Sequence, residues 1–252
     1  MRSTVMSVTG ALALLASVSV SAQTPPPDSV TEVLRQKPRQ GMVKEYEASR
    51  KKHMAWHKAQ NDTWAWDVFE ITTGPDTGGY LIASGNHQWK EMEEWDAKLG
   101  NADGADSAAS MGATIDSTKR AYWTQLNAIS RLPAANERAP LLTVTLYHTK
   151  PGSDFAFRAA IGQISSALEA EKYPIHTIWY VLSNGGAGPT YAVVAPRAGL
   201  GEMGPSPTLL EVLQKHLGKP GADAAINAFY ANVVSTESEL LQRRPDLSYV
   251  PN

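Results

Sequence analysis

The sequence contains no cysteine. That absence removes thiol nucleophiles, disulfide staples and every cysteine-ligated metal centre. Beyond the N-terminus there is no apolar run approaching the roughly 20 residues a membrane-spanning helix needs. There is no basic run either, and 23 Lys and Arg against 25 Asp and Glu leave a formal net charge of -2. Nucleic acid is therefore not an expected partner. No Gly-rich phosphate loop with its Lys is present, and the stretch GLGEMG from Gly199 to Gly204 lacks the strand-to-helix setting of a dinucleotide site. A Gly-x-Ser-x-Gly nucleophile elbow is missing as well.

What is present starts with a leader. Arg2 supplies a positive charge, Gly10 to Val20 is a run of small apolar residues, and Val20, Ser21 and Ala22 are small residues ahead of Gln23. This pattern predicts a signal peptide over residues 1–22, too short to stay as a membrane span. A linker over 23–29 carries Pro25, Pro26 and Pro27. The expected product is an exported protein, periplasmic or secreted, with no membrane attachment after cleavage. Its remaining 230 residues (252 − 22) suffice for a core without covalent staples.

Those residues repeat. At a spacing of 111, Val33 matches Val144, Gly41 matches Gly152, Ala48 matches Ala159, Gly74 matches Gly185 and Tyr80 matches Tyr191. Later the spacing is 118, with Ser117-Thr118 over Ser235-Thr236. The difference of seven implies an insertion in the second copy, near Gly199 to Pro207 or at Lys219-Pro220-Gly221. Each copy reads as a strand (Val30 to Gln36; Leu141 to His148), a Pro/Gly turn, a long helix (Met42 to Ala59; Ser153 to Glu171) and two strands across a Gly-rich turn. A helix follows (Gln88 to Leu99; Pro207 to Leu217), then a further helix (Ala105 to Gln125; Ala222 to Arg243). A short last strand closes each copy (Ala128 to Leu132; Leu247 to Val250). The fold class is therefore α+β: two ferredoxin-like β-α-β-β-α-α-β units, 30–138 and 139–252. Each unit has one sheet face free of helices, and two such faces can cover each other within one chain. That makes an intramolecular pseudo-dimeric α/β barrel and an expected monomer.

Three features carry a family resemblance: the Pro/Gly turn before the long helix, the aromatic strand WAWDVFE from Trp64 to Glu70, and the closing RRPDLSYVP from Arg243 to Pro251. Residues 30 to 252 resemble the dimeric α/β-barrel superfamily in tandem-duplicated form, in the manner of its antibiotic-biosynthesis-monooxygenase-like and NIPSNAP-like members. The resemblance implies one of several activities, because the superfamily includes cofactor-independent oxygenases, haem-binding enzymes and proteins of unassigned role. Its haem-degrading members use an Asn, a Trp and a His, a set not legible here.

The repeat supplies its own control. In the second long helix Phe157, Ile161, Ile164 and Leu168 fall on one face, at i, i+4, i+7 and i+11. Their first-copy counterparts are Tyr46, Arg50, His53 and His57. Burying such groups unpartnered costs a few kcal/mol each, so something must compensate. Nearby lie Trp56, Trp64, Trp66, His87 and Trp89. Trp64 and Trp66 share a strand face, and so do His87 and Trp89 if their strand continues. These predict a His/Trp-lined pocket in the first copy for a small apolar or aromatic ligand. His53 and His57 would act as bases or ligands, and Arg50 would hold a carboxylate or enolate. Two other readings stand beside it: a cofactor-independent or haem-dependent monooxygenase-like enzyme at that pocket, and a structural or interaction module whose Trp residues fill the core. His-x-x-x-His alone does not complete a metal set; Glu70 and His87 are the candidates for a third ligand. Asp76, Asp103 and Asp106 read as solvated turn residues, and the stretch from Gly100 to Asp106 as a connection. Substrate, cofactor and reaction are not legible.

Overall fold

The computed structural model describes residues 27–134, 138–204 and 206–251. The expected leader over residues 1–22 lies outside them, as does most of the linker. The element order is β1 (Ser29–Pro38), α1 (Val43–Ala59), β2 (Asp67–Ile71), β3 (Tyr80–His87), α2 (Trp89–Trp95), a π-helical turn (Asp96–Gly100), α3 (Asn101–Met111) and β4 (Ile115–Gln125). Then come β5 (Leu141–Thr149), α4 (Asp154–Ala170), β6 (Ile178–Asn184), β7 (Thr190–Arg197), α5 (Leu209–Tyr230) and β8 (Val233–Arg243). Among the described residues no helix is long and apolar enough to cross a membrane.

The elements keep the spacing of the sequence. Helices α1 and α4 begin 111 residues apart (154 − 43), and β4 and β8 begin 118 apart (233 − 115). The turn before each long helix passes through Gly41 and Gly152, with φ of 79° and 81°. That conformation carries a steric cost for any side chain, which explains why both positions are glycine. The seven extra residues fall between β7 and β8. There α5 spans the region taken for two helices, kinked where Gly218 leaves helical geometry.

Eight antiparallel strands close into a barrel in the order β1-β3-β2-β8-β5-β7-β6-β4. Each half contributes the order β4-β1-β3-β2 or its equivalent β8-β5-β7-β6. The halves join edge to edge, Phe69 opposite Arg243 on one side and Gln125 opposite Tyr180 on the other. Closure leaves no free sheet edge. The helix-free faces meet inside as well: Phe69, Ile71 and Leu81 pack with Val144 and Leu241, and Val33, Leu142 and Val194 complete the cluster. The helices cover the outside.

Three expectations about elements need correction. Residues 115–125 and 233–243 are strands, not helix ends. Ile226, Tyr230, Val233, Leu240 and Leu241 are spaced as on one helix face, but the run crosses the turn at Ala231-Asn232, so the spacing is coincidental. The pairing of β4 along the whole of β1, and of β8 along β5, decides the conformation; strand placement here follows from tertiary partners more than from local pattern. The short closing strands are instead 3-10 turns, Asn127–Ile129 and Pro245–Leu247. Isolated bridges follow them, Arg131 with Thr177 and Trp66 with Tyr249. Finally, Gly100 to Asp106 is no connection: it completes the π turn and starts α3.

Candidate functional site

The site lies between the outer face of β1 and β4 and the layer formed by α1, α2 and α3. Helix α1 turns Tyr46, Arg50, His53 and His57 inward, and all four are buried. The helix ends in a Schellman arrangement: Asn61 takes φ 52°, its N–H bonds Lys58 O, and Asp62 N–H bonds His57 O at 3.0 Å. That turn swings the Asp62 side chain back under the helix it follows. His57 Nδ1 donates to Asp62 Oδ2 at 2.9 Å. The same carboxylate accepts from Trp66 Nε1 at 3.0 Å, Trp95 Nε1 at 2.9 Å and the Trp64 backbone at 3.0 Å. Burial alone would push the Asp62 carboxyl up; the hydrogen bonds from His57, Trp66, Trp95 and Trp64 together hold it below its ordinary range.

Across the site α3 presents Asp103 and Asp106, one helical turn apart and therefore on one face. His53 Nδ1 donates to Asp106 Oδ2 at 2.7 Å. The second nitrogens of both imidazoles converge on one oxygen: Asp103 Oδ1 stands 3.2 Å from His53 Nε2 and 3.3 Å from His57 Nε2. Neither contact has the direction of a hydrogen bond, and that oxygen is buried without a donor among the described residues.

Arg50 is buried and forms no ion pair with any carboxylate of the described residues; it donates to Gln36 Oε1 and contacts Tyr46 OH, and its Nε has no partner. Glu32, close by on β1, pairs with Arg120 at 3.0 Å. Its carboxyl is raised, chiefly by burial, with Arg120 opposing and Asp103 and Asp96 adding to the rise. These groups and the indoles enclose a cavity of about 440 Å³. Its apolar wall is Leu34, Met54, Trp64, Trp66, Met92 and Trp95; its polar side is Glu32, Gln36, Arg50, His53, His57 and Asp103. The π turn puts Asp96 and Gly100 at the rim, and such insertions are frequent at functional sites.

The structure thus brings together Arg50, His53, His57, Trp64 and Trp66 on the cavity. Tyr46 sits beneath, donating its hydroxyl to Gln36 at 2.9 Å. Trp56 is half-buried and backs the imidazoles, stacked on His53 at 5.9 Å and edge-on to His57 at 5.1 Å. His87 lies behind the wall, stacked on Trp64 at 3.6 Å and bonded through Nε2 to Ser84 at 2.8 Å; burial lowers its pKa. Trp89 does not share a face with His87. The strand has ended, Trp89 opens α2, and its side chain is exposed beside Tyr122. Neither expected third ligand joins the histidines: Glu70 pairs with Arg244 at 3.3 Å and His87 is committed to Ser84. The acids that do are Asp103 and Asp106, which had read as loop residues. Asp62 and Trp95 were missed altogether. The signal for the α3 pair was available, because Asp103 and Asp106 are three apart and a helix makes such residues neighbours.

A haem does not fit beside these histidines. A macrocycle held by either Nε2 would have to occupy the space in which the other imidazole and Asp103 already stand, since the three ligand atoms lie within 4.8 Å of one another. His87 lies behind the indole wall with its Nε2 committed to Ser84.

No family model matches the chain, and no curated protein sequence matches it. Solved structures do match its fold. A provisionally assigned monooxygenase from Lactobacillus acidophilus superposes with TM-score 0.54 at 10% identity, over 90% of this chain and 98% of its own. Another from Fusobacterium nucleatum gives 0.56 at 10% identity, over 85% and 92%. Chlorite dismutase from Candidatus Nitrospira defluvii gives 0.51 at 8% identity, over 86% and 92%. At these identities the likeness is one of fold: the chain has the dimeric α/β-barrel fold of these structures.

Proposed function

We propose that this chain is an exported, monomeric barrel built from two copies of one ferredoxin-like unit, and that its first unit binds a small organic molecule with an aromatic or apolar body and an anionic group. One observation carries the reading: Arg50 is buried, has no carboxylate partner among the described residues, and lines a cavity that three indoles and two methionines also line. A desolvated guanidinium without an anion is costly, and a carboxylate or enolate would satisfy it through paired N–H donors. The cavity is of ordinary size for a small-molecule site. Trp64, Trp66 and Trp95 would stack the body of the ligand.

Naphthoate is a suitable probe, with tryptophan fluorescence as the readout. Saturable quenching is expected in the wild type and a loss of at least tenfold in affinity in Arg50→Ile, the residue type found at the equivalent position 161. Quenching that is non-saturable, or unchanged in Arg50→Ile, would count against the pocket.

A second reading is oxidative catalysis at the same cavity. It is supported by the fold shared with the two provisionally assigned monooxygenases and by a buried imidazole, His57, oriented by a carboxylate. An oxygen electrode with hydroxylated aromatic compounds tests it. Oxygen uptake that disappears in His57→Leu is the expected result under this reading, and uptake at the uncatalysed rate with every compound would remove it.

A further inference from the structure

The two imidazoles and Asp103 present an arrangement that hydrogen bonds alone do not explain. His53 Nδ1 faces a carboxylate oxygen of Asp106 at 2.7 Å, and His57 Nδ1 faces one of Asp62 at 2.9 Å. A carboxylate can only accept, so each Nδ1 carries the proton. In the neutral ring Nε2 is then a lone pair. Both nitrogens stand close to the same carboxylate oxygen, at 3.2 and 3.3 Å, without pointing at it, and nothing in the described structure donates to that oxygen. Three acceptors converging in a buried space repel one another unless a positive charge lies between them.

We propose that His53 Nε2, His57 Nε2 and the Asp103 carboxylate bind one divalent transition-metal ion. Both nitrogen–oxygen spacings, 3.2 and 3.3 Å, fit: with metal–ligand bonds of about 2.0–2.1 Å, adjacent ligand atoms of a tetrahedral centre lie about 3.3–3.4 Å apart, and all three ligand atoms here lie within 4.8 Å of one another. The outer shell fits as well. Metal-bound histidines commonly donate their other N–H to a carboxylate, which fixes the tautomer and the ring; Asp62 and Asp106 do this here, and Asp62 is itself pinned by two indoles and a backbone amide. The donor set, two imidazoles and one carboxylate, suits zinc or iron(II) and leaves coordination positions open toward the cavity, as sites that act on a bound molecule require. The second half contains none of it. At the spacings of 111 and 118, His53, His57 and Asp62 become Ile164, Leu168 and Tyr173, and Asp103 and Asp106 become Gly221 and Ala224. The site does not depend on the small-molecule reading, because the metal is measured without any organic ligand.

The test uses the full mature chain without an affinity tag, stripped with a chelator and titrated with Zn2+ by calorimetry and with Co2+ by visible absorption. The expected result is one ion per chain, with cobalt ligand-field bands, and loss of both signals in Asp103→Asn and in His57→Leu. Asp106→Asn should weaken binding by about 10–100-fold, as removal of an outer-shell carboxylate does. Asp103 is partly exposed on α3, so Asp103→Asn keeps the fold, checked by circular dichroism. No stoichiometric binding, or binding that survives both Asp103→Asn and His57→Leu, would overturn the proposal. Naphthoate binding in the metal-free protein is scored separately, so failure of the metal site and failure of the pocket are distinguishable.

Discussion

Helices α1 and α4 sit at equivalent places on one barrel, and each ends in the same backbone motif. Asn61 and Lys172 take φ of 52° and 51°, and the following amides bond back to His57 O and Leu168 O at 3.0 and 2.9 Å. Their buried faces have opposite chemistry. Around α4, Phe157 and Ile161 pack with Trp179, Tyr191 and Phe229, and Leu168 packs with Tyr173, Ile175 and Val212. Around α1 the same positions hold Tyr46, Arg50, His53 and His57, and the space beside them is a cavity. Since the backbone is kept, the fold itself does not demand the polar set. Apolar residues satisfy these positions in the second half, so the polar ones in the first half cost burial energy that the proposed binding role would account for.

The comparison can be broken or sharpened by exchange. The largest effect is expected where the polar network is removed from its own context: Asp62→Ala strands one imidazole N–H, two indole N–H groups and an amide, and should destabilise by more than about 4 kcal/mol in urea unfolding, at about 1–3 kcal/mol for each buried group left unsatisfied. Next is Ile161→Arg, which puts the first-half residue into the second-half core. With no cavity to receive it, a loss of about 3–5 kcal/mol is expected, the usual range for an uncompensated buried charge. The converse, Arg50→Ile, should cost less than about 1 kcal/mol or stabilise, because an uncompensated guanidinium is replaced by a packing group. Equal losses for the two exchanges would show that the halves do not differ as described. Smallest is Trp89→Ala: its side chain is exposed and away from the cavity, so stability should change by less than about 1 kcal/mol, with naphthoate and Zn2+ titrations unchanged.

How much of this was legible in the sequence follows from what each inference needed. The spacing of 111 placed both long helices, both glycine turns and the β2–β3 and β6–β7 hairpins, because these are local and repeated without a gap. It also exposed Arg50, His53 and His57, since a repeat states what a position can be when it only packs. The α3 carboxylates were lost for two reasons. The spacing changes to 118 between β3 and β4, which takes Asp103 and Asp106 out of register with their counterparts. An Asp and Gly run such as that from Gly100 to Asp106 also has the composition of a turn, and a π insertion within a helix has no local signature. Strands β4 and β8 were missed because their conformation is fixed by long-range pairing with β1 and β5. Trp89 was placed wrongly because a period of two was carried two residues past the end of its strand at His87.

One substitution tests the central claim most directly. His57→Leu installs in α1 the residue that α4 carries at the equivalent position, so urea unfolding and Zn2+ titration of this single variant read structure and role together. The account predicts stability equal to or above that of the metal-free wild type, with Zn2+ binding lost and naphthoate affinity reduced at least tenfold. A variant that keeps both binding signals, or one that is destabilised by several kcal/mol because His57 was needed for the fold, would contradict it.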